Sequence, residues 1–475
     1  MYLTKYIYSQ SLSKDSLLLI NTLVGAIDIL QSPLKEEFEL LSPGNPIQTQ
    51  ISPKLQILLK ERNYLLYNQE KEKELINRLL QQFSLVRPTQ PRLYLCMTFN
   101  CNLNCTYCLE WNVVSSKRYD VLKPNDANIA LKNILKITHE LDQDSPFGMR
   151  KKPIIVRLYG GEPLLPSTTN IIDHIYQTAA SQHLLLTTIT NGVYIPIFLP
   201  IFKKYQQSVN SFYITIDGPK SVHDSRRFTY SRGGSFDLII SSINQLLDAN
   251  FHVDVNVNLD RQSINHLPEL MEIFEEQKWI GNQLFHVDLN KVNFPQCNQP
   301  PPYKYYMTEL EFIQSFESLL AKYQFGNQYN TMIGEMDIYN QLRLMFERPN
   351  DFSIPRLRGC DSTLGFTWVF GPDGLIYPCV ETAGFEQYAI GKFIPSFELW
   401  ENQVKNWHSR NVRLIDKCLN CRFLTLCGGG CPLKSIIRGV EYSEPTCPPV
   451  EEQIKLFIDI RKNKLLRNIL KADEK

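Results

Sequence analysis

Arg92-Leu93-Tyr94-Leu95-Cys96-Met97 leads into Cys101-Asn102-Leu103-Asn104-Cys105-Thr106-Tyr107-Cys108, a short strand-forming run that opens onto a C-x-x-x-C-x-x-C loop. Leu93 and Leu95 alternate with Tyr94 and Cys96, the period of a strand, and Cys96 reads as a small core residue. From here to about residue 290 the same unit recurs. Strands are expected at 92–97, 154–159, 184–190, 211–216, 252–259 and 284–289, with helices at 125–141, 168–181, 236–249 and 264–277 between them. Strands alternating with helices in this way predict right-handed βαβ units and a parallel sheet. Six of them give an α/β fold, a partial (β/α)6 barrel. The cysteine loop then lies at the carboxyl end of the first strand, where barrel active sites sit.

Three thiolates so close in sequence can hold three irons of a 4Fe-4S cube and leave the fourth iron without a protein ligand. A zinc ion with a distant fourth ligand is the competing reading. Further along, Tyr159-Gly160-Gly161-Glu162-Pro163, Thr190-Asn191-Gly192 and Thr215-Ile216-Asp217-Gly218 end the second, third and fourth strands. Each alone reads as a strand-to-helix turn. In sequence, at one end of one sheet, they outline a ligand pocket around the cysteines.

The chain has 475 residues, 43% of them hydrophobic, enough for two or three packed units. Lys plus Arg total 50 against 49 for Asp plus Glu, so no global charge points to nucleic acid or an anionic membrane. Residues 1–21 lack the features of a signal peptide, and the longest apolar run, 193–202, holds two prolines and is too short to span a bilayer. A cytoplasmic location is expected, which favours metal ligation over disulfides for the 12 cysteines. Ten of them fall in two patterned groups, the exceptions being Cys96 and Cys297. The second group is Cys360, Cys379 preceded by Gly374, Cys418, Cys421, Cys427, Cys431 and Cys447, in a stretch dense in Gly and Pro that suits a fold held by ligand bonds.

Over residues 92–290 the sequence resembles the radical SAM superfamily, and over 360–447 it resembles the SPASM pattern C-x(n)-G-x4-C, C-x2-C-x5-C-x3-C, C. The first resemblance implies that Cys101, Cys105 and Cys108 bind a 4Fe-4S cluster and that S-adenosylmethionine (SAM) chelates its open iron. It further implies that Gly160, Gly161 and Glu162 contact SAM, with Asn191, Thr215 and Asp217 as further contacts and Tyr107 packing near adenine or simply within its loop. SAM would then be cleaved reductively to a 5'-deoxyadenosyl radical that takes a hydrogen atom from substrate. The second resemblance implies two auxiliary 4Fe-4S clusters. Cys360, Cys379 and Cys431 would hold the inner one, and Cys418, Cys421, Cys427 and Cys447 the outer one. Cys297 is either the missing inner ligand or a plain loop thiol.

The expected domains are 1–88, 89–292, a bridging region 293–358, the auxiliary cluster domain 359–449 and a closing helix within 450–475. Strand-like runs at 2–8 and 17–20, the stretch 25–30 and helical stretches at 34–41, 53–66 and 68–83 make the first domain resemble a small winged-helix module that grips the leader of a ribosomally made precursor peptide. The other possibility is a lid with no binding role. SPASM-bearing enzymes mostly modify peptides or proteins, so a peptide maturase served by an electron donor such as flavodoxin or ferredoxin is implied. No catalytic base is identified. An anaerobic sulfatase maturase is a related possibility, although such enzymes carry Asp directly after the second SPASM cysteine and this chain has Val380 and then Glu381. A protein that only stores or relays electrons is the alternative of another class.

Overall fold

The computed structural model describes residues 1–84, 90–116, 121–143, 153–292, 304–323, 337–347, 360–408, 410, 412–441 and 444–472. Cys297 and its proline-rich loop lie outside these residues. The chain divides into two compact units: Met1–Arg87 with Asp337–Cys360 and Arg410–Lys475, and Pro88–Met336 with Asp361–Ser409.

In the first unit, β1 (Tyr2–Leu3) pairs with β5 (Leu65–Leu66), while β2 (Ile7–Ser11), β3 (Ser16–Asn21) and β4 (Ala26–Gln31) form an antiparallel sheet in the order β2-β3-β4. Helix Pro53–Glu61 starts on Ser52, whose hydroxyl accepts from the Leu55 N–H, and it stops at 61, short of the expected 66. Leu3, Ile7, Leu17, Leu19, Leu30, Phe38, Leu55 and Leu59 bury one face of the sheet against the helices. The run expected as one strand at 2–8 is broken at 4–6, where the Thr4 hydroxyl donates to Glu72 Oε1 at 2.6 Å. There Tyr6 turns into a second core with Leu23, Ile76, Leu80, Val412, Ile415, Cys418 and Leu424. Each such side chain, fully buried, contributes about 1.5–3 kcal/mol. The N-terminal residues thus share a core with the loop of Cys418, some 400 residues away in the chain.

The second unit is built on one sheet of ten strands. β6 (Arg92–Cys96), β7 (Ile155–Tyr159), β8 (Leu185–Thr190), β9 (Val209–Thr215), β10 (Val253–Leu259) and β11 (Phe285–Lys291) are all parallel. They are the six strands of the partial barrel. On β10 the valines and Leu259 are buried, while Asp254, Asn256 and Asn258 alternate with them and are half-buried. That alternation gives the sheet one apolar face and one polar face. Beyond β6 the sheet continues through β12 (Thr367–Phe370), β13 (Leu375–Tyr377), β14 (Gly391–Lys392) and β15 (Glu398–Leu399). β12 is parallel to β6, and the last three run antiparallel. The stretch expected as one auxiliary domain is therefore shared between the units. Cys379 belongs to the barrel's unit and Cys360, Cys418, Cys421, Cys427, Cys431 and Cys447 to the first. No helix among the described residues is long and apolar enough to cross a membrane.

Candidate active site

The loop after β6 is fixed by backbone contacts before any side chain acts. Gly161 N donates to Thr98 O at 3.0 Å and Glu162 N to Asn100 O at 2.8 Å, so the turn after β7 zips onto the residues leading into Cys101. A Cβ on Gly160 would collide with Thr98 O, and one on Gly161 with the carbonyl oxygens of Phe99 and Asn100. Gly160 also has φ +126°, where side chains are strained. The Gly-Gly pair is thus required by its approach to the cysteine loop. On the other side, Asn104 N donates to Phe228 O at 2.7 Å and Thr106 N to Arg226 O at 2.9 Å.

The three thiols are buried near enough to one another to interact electrostatically. Burial raises the pKa of Cys101, Cys105 and Cys108, Cys105 further raises its two neighbours, and Arg227 pulls Cys105 and Cys101 back. Leu103 N donates to Cys101 Sγ at 3.4 Å. Among the described residues no three His, Cys, Asp or Glu side chains gather as tightly as the ligands of a single metal ion. Ligands on three separate irons of a cube stand farther apart than that. Buried thiols that raise one another are a donor set whose negative charge a cluster would absorb, and the residues fit one.

Glu162, expected beside SAM, is buried and braces two strand ends. Its Oε1 accepts from Thr190 Oγ1 (2.5 Å) and Leu164 N (2.8 Å), and its Oε2 from Asn191 N (2.7 Å). Burial raises its pKa and these three donors lower it, with burial prevailing. Asn191 Nδ2 donates to Asn102 Oδ1 at 2.7 Å, which links β8 to the cysteine loop. Thr215 is half-buried at the end of β9.

Tyr107 and Asp217 belong to a buried polar network. The Tyr107 hydroxyl donates to Asp217 Oδ2 and accepts from Arg227 Nη1 at 2.9 Å and Asn258 Nδ2 at 3.3 Å. The Arg226 guanidinium lies 4.8 Å over the Tyr107 ring and pairs with Asp260 at 2.9 Å and Asp217 at 3.5 Å, the three side chains of these ion pairs being 0% exposed. His223 Nδ1 accepts from Asp217 N at 3.3 Å, and burial pushes its pKa down to about 3, so the ring is neutral. The sequence alone does not single out Arg226, Arg227, His223 and Asp260, because an Arg pair at a helix end normally reads as solvated. The signal was Asp217 and Asp260, carboxylates at the ends of adjacent parallel strands that need a cation. Along the polar face, Asn290 Nδ2 donates to Asn256 Oδ1 at 2.6 Å, and burial raises the pKa of Asp254 and Asp288.

In the first unit, burial pushes the Cys418 thiol up to about 12, with Cys427, Cys447 and Cys421 adding to it. Cys421, Cys427 and Cys447 thus lie near enough to Cys418 to act on its charge, while among the described residues no three such side chains gather as the ligands of one metal ion.

Residues 95–274 match the Radical SAM superfamily. That stretch holds the three cysteines, the Gly-Gly turn and the buried network, so the chain carries a radical SAM domain, a fold that binds SAM and a 4Fe-4S cluster, and it is an enzyme of that class. Among curated proteins, it is 23% identical over 343 residues to a cysteine-type anaerobic sulfatase-maturating enzyme of Clostridium novyi, covering 70% of this chain and 85% of that one. Identity to a GTP 3',8-cyclase of Clostridium perfringens is 27% over 165 residues, 34% of this chain and 45% of the relative. Among solved structures, native anSMEcpe with bound AdoMet superposes with a TM-score of 0.58 at 16% identity, over 80% of this chain and 100% of that one. Streptococcus suis SuiB bound to precursor peptide SuiA gives 0.55 at 14% identity, over 94% and 99%.

Proposed function

We propose that this enzyme is a maturase of a ribosomally synthesised precursor peptide, using one SAM-binding cluster and two auxiliary clusters. The observation that carries the reading is the extent of the likeness to peptide-bound SuiB. At 94% of this chain it must include most of the N-terminal unit, whereas anSMEcpe is matched completely with 80%. When bound, SAM and its cluster supply the radical chemistry. The protein's part is to hold and orient. Cys101, Cys105 and Cys108 fasten the cluster, and the Gly160 and Gly161 backbone lies directly against their loop. Tyr107, Asp217, Arg226 and Arg227 keep that loop from moving, and preorganisation of this kind lets binding energy act on the reacting geometry. Tyr213, Asn256 and Asn290 on the polar face offer hydrogen bonds to peptide amides.

Leader binding remains assigned to the N-terminal unit. Strand addition beside 17–20 is excluded, because β3 is paired on both sides. Among the described residues β2 and β4 pair with β3 alone, and they are the edges a peptide could extend. The related reading, formylglycine formation, draws on the sulfatase-maturase likeness, and Val380 in place of Asp counts against it.

The test is anaerobic reconstitution, which should load about twelve irons, with about eight left in a Cys101→Ala, Cys105→Ala, Cys108→Ala variant. The parent should form 5'-deoxyadenosine and modify its precursor peptide, and the triple variant should do neither. Equal deoxyadenosine from both proteins would sink the active-cluster assignment. A formylglycine product would select the second reading.

A further inference from the structure

In the first unit the cysteine-bearing loops converge on one side chain. Arg410, 5% exposed, donates from Nη2 to Gly429 O (3.1 Å), Ser435 Oγ (3.3 Å) and Glu444 O (2.9 Å). Gly429 lies between Cys427 and Cys431, Ser435 follows Cys431 in helix Pro432–Ile437, and Glu444 precedes Cys447. Thr446 completes the knot: its N–H donates to Gly429 O at 3.1 Å, its hydroxyl donates to Cys431 O at 2.9 Å, and its Oγ1 lies 2.7 Å from Ser435 Oγ. Gly428, Gly429 and Gly430 all have positive φ (65°, 84° and 74°), the sharp return that brings Cys431 back. A Cβ on Gly429 would stand 3.7 Å from Cys418 Sγ, so the carbonyl that Arg410 holds belongs to a residue packed on a thiol. Burial lowers the Arg410 pKa, and the thiols of Cys431, Cys418, Cys360 and Cys427 oppose it. These cysteines are assigned to both auxiliary clusters.

We propose that Arg410 is a positioning residue that sets the reduction potentials of the auxiliary clusters, its one buried positive charge fastening the loops that carry Cys427, Cys431 and Cys447. The inference rests on the two-cluster reading above. Adding an electron makes a cluster more negative, so a nearby cation favours the reduced state, and net charge and hydrogen bonding are what tune such potentials. Burial keeps that charge from being screened by salt.

The test uses the full-length Cys101→Ala, Cys105→Ala, Cys108→Ala protein, in which only auxiliary irons remain. Its Arg410→Gln and Arg410→Lys derivatives are compared with it by iron content and by spin-resonance redox titration. In Arg410→Gln the reduced-to-oxidised ratio of at least one cluster, at fixed applied potential, should fall about tenfold, which is 59 mV for a one-electron couple. Arg410→Lys should stay within about threefold of the parent, or about 30 mV by the same relation. A fully loaded Arg410→Gln with an unchanged ratio would overturn the proposal. Should Arg410→Gln lose iron, Arg410→Lys decides: retained iron at the parental ratio supports the charge, and equal iron loss reduces Arg410 to a scaffold residue and overturns it. A triple variant with no iron at all removes the auxiliary clusters themselves, a different failure that takes this role with it.

Discussion

The two cysteine loops share a local device and differ in the balance of what supports it. In each, a backbone N–H two residues on donates to a sulfur at 3.4 Å: Leu103 to Cys101, Phe423 to Cys421. Around Cys101 to Cys108 the support is polar, a buried network of Tyr107, Asp217, Arg226, Arg227 and Asp260 at the ends of β9 and β10. Around Cys418 to Cys427 it is largely apolar, the core of Tyr6, Leu23, Ile76, Leu80, Val412, Ile415 and Leu424. Directional bonds fix orientation, which a cluster with an open iron and a bound substrate requires. Apolar packing is non-directional, and on this side the directional bonds come from Arg410 and Thr446, farther along the same loops.

The largest expected effect tests the apolar side. Deleting residues 1–87 strips Tyr6, Leu23, Ile76 and Leu80 from the core that holds Cys418, and it removes the Thr22 and Thr425 hydroxyl bonds across that junction. On the proposed two-cluster reading the truncated protein should lose about four irons, while residues 95–274 keep theirs. Iron content measures this, and full retention would show that the core is dispensable. On the polar side, Arg226→Met leaves Asp217 and Asp260 buried without their cation. Breaking a buried pair in this way costs about 3–5 kcal/mol, read by denaturant unfolding of the barrel.

A smaller effect depends on pH. His223 has its pKa depressed to about 3 in the folded state, below an unfolded value of about 6.5. Between these values the unfolded chain binds a proton that the native ring refuses, so stability is complete above pH 6.5 and falls as the pH drops. Relative to His223→Asn, the parent should lose about 2 kcal/mol by pH 5. Parallel pH profiles of the two proteins would place the acid sensitivity elsewhere. Of similar size is Tyr107→Phe, which deletes a hydroxyl with three partners and should cost about 1–3 kcal/mol, with the first cluster lost faster to chelator than in the parent.

The six parallel strands were legible within two residues because each is a short run between turn signals and long amphipathic helices. Helix Ile195–Lys204 was not, since Pro196 sits in its first turn and Pro200 inside it, and proline argues against a helix until tertiary packing overrides it. β12 is four residues, all buried, so it shows no alternation to read. At the site, the cysteines and glycines were visible because chemistry and close backbone approach restrict residue type. The arginines were hidden because burial of a charge depends on partners supplied by other strands. Tyr107, offered two places, spends its hydroxyl on the network.

The bond between Thr22 and Thr425 spans 403 positions of the chain. During synthesis at about 5–20 residues per second, Tyr6 and Leu23 leave the ribosome roughly 20–80 s before their partners exist. β6 likewise waits for β12 before its second edge is covered. Nascent chains of this enzyme therefore carry an open apolar surface and an unpaired strand for most of translation. Its yield in a heterologous host should depend on slow expression and on chaperone supply as much as on iron.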